Sequence, residues 1–149
     1  MRRLSGFAMA GAVLLTLVFT GTDAMAQQNP YSADIVLNSV TVHADKAADY
    51  ERILQRLHDA LRNSSDPADR QVAAGWRVYR NVAAMPNGDV IYTHIIEPPP
   101  GATADTYGVM QRLYDAFPEE QQTLYQMYSE AFSQNLGAAP ANLVEDMGQ

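Results

Sequence analysis

Three histidines, His43, His58 and His94, are the side chains best suited to move a proton in a chain that has no cysteine. Imidazole titrates near neutral pH, so it can take or give a proton. Three imidazoles together could hold zinc, copper or iron. Their spacing is not that of a metal signature, however, and no metal site is expected. His43 is expected at the end of a strand, His58 at the edge of a helix stripe, and His94 in mid-strand. His94 shares one side of its strand with Tyr92 and Ile96. A polar ring on such an apolar strand must find a hydrogen-bond partner. His94 and Tyr92 are therefore the candidate catalytic residues. The competing reading is a buried histidine that is simply hydrogen-bonded in the core.

A second group could bind rather than react. Trp76, Tyr79 and Tyr92 could line an apolar pocket with a few polar tips, suited to a planar ligand. Arg80 has the parity of Trp76 and could meet a carboxylate. The candidate ligand-binding residues are thus Trp76, Tyr79, Arg80 and His43. The competing reading makes Trp76 plain core and pairs Arg77 and Arg80 with nearby acids at the strand edge. There is no Ser-centred nucleophile elbow, phosphate loop, HExxH pair or calcium loop. No cofactor is expected. Glu119-Glu120 reads as a helix N-terminus rather than a catalytic pair.

The first residues read as an address. Met1-Arg2-Arg3 is a positive start, an apolar run follows from Leu4 to Phe19, and Ala24-Met25-Ala26 matches an A-x-A cleavage site. Residues 1–26 are expected to be a signal peptide, cleaved after Ala26. The mature protein would then be periplasmic or secreted, with no membrane segment. The apolar run is short for a span of about 20 residues. The net charge of −7 becomes one unit more acidic when Arg2, Arg3 and Asp23 are lost. That balance argues against nucleic acid as a partner, since phosphate binding needs a basic stripe. A mature chain of about 120 residues fits one domain.

The elements that must position these residues follow from patterning. Residues 27–33 read as a flexible leader and residues 34–149 as the domain. Asp34–His43 has the composition of a strand. Asp45 can cap a helix on which Tyr50, Ile53, Leu54, Leu57 and Leu61 make one apolar stripe. Asn63–Pro67 stops it. Val72–Val82 reads as a strand, Pro86–Asp89 as a turn and Val90–Glu97 as the returning strand of a hairpin. Thr106–Phe117 and Pro118–Ser133 read as helices with a kink or break at Pro118. Gly137–Pro140 reads as a linker, and Ala141–Met147 could hold a last strand.

This order predicts an α+β fold of the split β-α-β-β-α-β, ferredoxin-like kind. The sheet would be antiparallel with helices on one face, and the third strand would lie between the first two. Yet Val90–Glu97 is apolar on both parities: Val90, Tyr92 and Ile96 on one side, Ile91 and Ile95 on the other. Something must cover the second face. A second copy of the chain, giving a homodimer, is the simplest cover.

The element order, the Gly75-Trp76-x-Val78-Tyr79 strand, the hairpin and the aromatic-rich second helix resemble the dimeric α/β-barrel superfamily of ferredoxin-like proteins. The likeness covers most of residues 34–147. Gly75-Trp76-Arg77-Val78-Tyr79 and Tyr125-x-x-Tyr128-Ser129-x-Ala131-Phe132 also look like uncharacterised exported bacterial proteins, which implies no function. The superfamily includes small monooxygenases, haem-degrading enzymes, isomerases and non-catalytic ligand binders, so the fold alone assigns no activity. Two functions follow as expectations. One is a non-enzymatic exported module binding a small apolar ligand or a protein partner. The alternative is a small dimeric-barrel enzyme, monooxygenase-like or haem-related, using His94 and Tyr92.

Overall fold

The computed structural model of the chain describes residues 29–148. The expected signal peptide, residues 1–26, lies outside them. The β-branched run Ile35–Val42 forms strand β1. Helix α1, Ala47–Arg62, buries Tyr50, Ile53, Leu57 and Leu61 on the expected stripe. A 3-10 turn at Ala44–Lys46 precedes it, and no side chain caps its first turn, so Asp45 does not act as the expected cap. The helix ends at Asn63, whose N–H donates to the Asp59 carbonyl.

The strand expected over Val72–Val82 is two elements. Asp66 accepts a hydrogen bond from the Ala68 N–H, and Pro67 occupies the first turn. Both favour helix, and α2 runs Pro67–Gly75. Strand β2 is only Trp76–Arg80. Gly75 marks the junction: its carbonyl accepts from the Glu97 N–H at 2.8 Å, and a Cβ there would strike the Glu97 carbonyl. Strand β3, Val90–Ile96, pairs antiparallel with β2 as a hairpin.

Helix α3 spans Val109–Ala116 and is separated at Gly108 from a 3-10 turn over Ala104–Tyr107. A further 3-10 turn at Pro118–Glu120 makes the break before α4, Gln121–Ala131. The final strand differs from its expected place. Strand β4 is Phe132–Ala141, and the stretch Gly137–Pro140 lies inside it. Its small residues and Pro140 suit an edge position. Two irregularities in its pairing with β1 absorb Ser133 and Leu136, and Gly137 follows the second with φ +103°.

The chain is α+β, with a four-stranded antiparallel sheet in the order β2-β3-β1-β4. One face packs against the helices. Val36, Val40 and Val42 of β1 and Val90, Tyr92, His94 and Ile96 of β3 are buried there. All but His94 divide between two clusters. One joins Val36 and Ile96 to Ile53, Leu57, Leu113 and Leu124; the other joins Val40, Val42, Val90 and Tyr92 to Tyr50 and Ala131. The opposite face presents Ile35 and Leu37 of β1, Ile91 and Ile95 of β3 and Tyr79 of β2. All are partly or largely exposed. Residues 29–33, expected to be a flexible leader, are docked. Asn29 Nδ2 donates to the Ala102 carbonyl at 2.6 Å, and the Tyr31 ring stacks on Tyr107 at 4.7 Å.

Candidate functional site

The helix-covered face holds one group of polar side chains within the core, apart from the buried Thr41 and Asp89. Strand parity puts Trp76 of β2, His94 of β3 and Asn38 of β1 on that face, and Asn38 lies opposite His94 in the register. Helix α1 brings Tyr50 over them. The Trp76 indole Nε1–H donates to His94 Nδ1 at 3.0 Å, and His94 Nε2 is 3.0 Å from the Tyr50 hydroxyl. Indole N–H is a donor only. His94 Nδ1 therefore carries the lone pair, and the ring proton sits on Nε2 and is given to the Tyr50 oxygen. The Tyr50 O–H proton is then left over, to be given elsewhere.

Burial fixes this protonation state. His94 is 4% exposed, and desolvation pulls its pKa down to about 4. Burial pushes the Tyr50 hydroxyl well above its usual range, with the nearby Tyr128 and Tyr92 adding to the effect. The trio is neutral across ordinary pH.

A cavity of about 280 Å³ opens beside the trio, between the two core clusters. Trp76, His94, Tyr50, Tyr107, Tyr128 and Asn38 are among its walls. Two of its buried polar atoms, Asn38 Oδ1 and the Tyr107 hydroxyl, have no hydrogen-bond partner in the protein. Native interiors seldom leave such atoms unpaired.

The expected candidates divide. Tyr92 is buried, but its hydroxyl donates to Glu51 at 2.7 Å, and Glu51 also accepts from Arg80 at 3.1 Å. Burial, and then the Glu51 carboxylate, push the Tyr92 pKa up to about 12. Arg80 thus meets an acid of its own chain rather than standing ready for a ligand. Arg77 likewise pairs with Glu97 at 2.5 Å. Tyr79 points to the opposite sheet face and is 52% exposed, so it cannot share a pocket with Trp76. His43 sits at the far end of β1, with Nδ1 3.2 Å from Asp89. The Ser133 hydroxyl, then Asn87 and His43, hold the Asp89 carboxyl below its usual range. His58 lies exposed beside Asp59. The three histidines do not converge, and among the described residues no group of three is placed to hold a metal ion.

The residues do not suit a haem. The one buried imidazole has both nitrogens engaged and offers none for an axial bond. The cavity also lies just below the range of about 300–1,000 Å³ usual for ligand sites of drug size. A larger cleft of about 750 Å³ lies along α1, α2 and α3. Its main polar groups answer one another: Arg112 bonds Asp69, Ser64 donates to Asp69, and Arg56 reaches Glu120.

Tyr50, Asn38 and Tyr107 were not expected at the site. Tyr50 reads as a member of an apolar helix stripe, and Tyr107 falls in the segment Thr106–Phe117 read as helix. A tyrosine on a buried stripe still needs a partner for its hydroxyl, and that was the available signal. Comparison with protein-family models, curated proteins and solved structures finds no match for the chain.

Proposed function

We propose that this protein is an exported, non-enzymatic module that holds a small, mostly apolar ligand between its sheet and its helices. One observation carries the reading. Among the residues that line the aromatic cavity, Asn38 Oδ1 and the Tyr107 hydroxyl are buried with no partner in the protein, and the Tyr50 hydroxyl has only His94. A partner bound from solution would answer them. The enzyme alternative has less support, because a general base needs a free lone pair within reach of its substrate. His94 Nδ1 is taken by Trp76, its Nε2–H is directed at Tyr50, and the Tyr92 hydroxyl is given to Glu51.

The strand order supports a ferredoxin-like arrangement, and the exposed sheet face supports a dimeric barrel built from two copies. That face carries Ile35, Leu37, Ile91, Ile95 and Tyr79, with both charge signs at its edge in the Arg77–Glu97 pair. A two-fold contact sets each patch against itself and matches unlike charges. Export rests on the sequence of residues 1–26. Among the described residues no helix is long and apolar enough to cross a membrane.

The single tryptophan lines the cavity and reports its contents. Protein taken from its own exported fraction should change Trp76 emission when small molecules are extracted with solvent, and recover it when the extract is returned. Emission indifferent to both steps would count against a ligand.

A further inference from the structure

We infer that the cavity selects a neutral compound of one or two rings whose polar edge both gives and takes a hydrogen bond, such as a ring hydroxyl or carboxamide. The inference rests on the ligand-binding reading and adds the ligand's chemistry. Charge is the first constraint. No Asp, Glu, Lys or Arg lines the cavity, and its one imidazole is locked neutral between Trp76 and Tyr50. A carboxylate or ammonium there would lose its water without gaining a counter-ion. Shape is the second. The walls are rings set at varied angles: Trp76 meets Tyr107 edge-on at 5.2 Å, and Tyr50 is tilted against Tyr128 at 6.5 Å. Such walls take a flat ring on its faces and edges. A volume of about 280 Å³ holds one or two fused rings.

The polar atoms set the third constraint. Asn38 Oδ1 can only accept, so the ligand must donate to it. Tyr50, having accepted from His94, still has its O–H proton to give, so the ligand should offer an acceptor. Asn38 is the register partner of His94, and Asn38, His94 and Tyr50 all line the cavity. A hydroxyl or carboxamide carries both a donor and an acceptor. Tyr107, 8% exposed and with an unpartnered hydroxyl, can serve either role.

The test titrates the mature chain with phenol, 2-naphthol, toluene, benzoate and benzylammonium, read by Trp76 emission and calorimetry. Phenol and 2-naphthol should bind one per chain. Toluene should bind about tenfold weaker for the lost hydrogen bonds, and the two ions weaker still. Tyr107→Phe and Asn38→Leu are then compared with the parent. Tyr107→Phe removes a hydroxyl with no protein partner, so the thermal midpoint of the empty protein should hold or rise. Its preference for phenol over toluene should fall severalfold. Asn38→Leu should erase more of that preference. Benzoate binding as well as phenol, or a phenol preference untouched in both variants, would overturn the inference while leaving ligand binding intact. No binding by any probe, together with no ligand on the protein from its native compartment, would overturn the ligand-binding reading itself.

Discussion

The Trp76 indole N–H donates to His94 Nδ1 over 3.0 Å, and that bond decides what the buried imidazole can do. It assigns the ring proton to Nε2 and hands it to Tyr50. A second ring proton would set the Nδ1–H against the indole N–H. The fold therefore holds one neutral tautomer, and His94 orders the site by joining β2, β3 and α1.

Stability should consequently fall in mild acid. The His94 pKa is about 4 in the fold, against the ordinary 6.5 when unfolded. Between these values the unfolded chain binds the extra proton and the folded chain does not. The contribution is thus complete above pH 6.5, declines as pH falls towards 4, and is gone below it. The shift corresponds to about 3 kcal/mol. Urea midpoints should drop across that window in the parent and stay much flatter in His94→Gln. Equal slopes would contradict the assignment.

Removing the ring should show the same asymmetry between histidines. His94→Ala strands the Trp76 N–H and opens a hole in the core, at a cost of about 2–3 kcal/mol. The His43 side chain is 49% exposed, and Asp89 keeps Ser133 and Asn87 without it. His43→Ala should cost less than about 1 kcal/mol. Chemical denaturation of the two variants provides the comparison, and equal losses would argue against the placement.

Much of this arrangement is legible in the sequence, for local reasons. Strand parity alone puts His94 with Tyr92 and Ile96, and the period of α1 gives its buried stripe. Helix α2 escapes because it buries only Val72 and Gly75 and runs directly into strand β2. Strand β4 escapes because Gly137, Ala138, Ala139 and Pro140 lack strand propensity; its pairing with β1 holds it extended. The Tyr50–His94–Trp76 chain joins three elements far apart in sequence, so no local pattern announces it. Tyr79 and Trp76 lie three residues apart, so the parity that joins Trp76 to Arg80 already puts them on opposite faces.

The exposed sheet face should make the mature protein a dimer. Light scattering at micromolar concentration should give the mass of two chains at low and moderate salt. Tyr79→Glu puts a charge on an already exposed position, so it should leave the fold intact and shift the mass towards one chain. A parent that scatters as one chain at both salt levels would remove the barrel from the account.

Export should leave its mark on the first residue. N-terminal sequencing of the exported protein should begin at Gln27, after Ala24-Met25-Ala26, with allowance for cyclised glutamine. A mature form that retains Leu14 and Leu15 would contradict cleavage there.

A small molecule held in the cavity beside Trp76, His94 and Tyr50 should travel with the protein. Native mass spectrometry of the protein purified from its own exported fraction tests it most directly. The mass should exceed that of the chain by one small, neutral, ring-bearing compound per subunit. The added mass should be lost in His94→Ala while the folded charge distribution remains. A bare chain mass from the native compartment, under conditions gentle enough to keep non-covalent ligands, would contradict it.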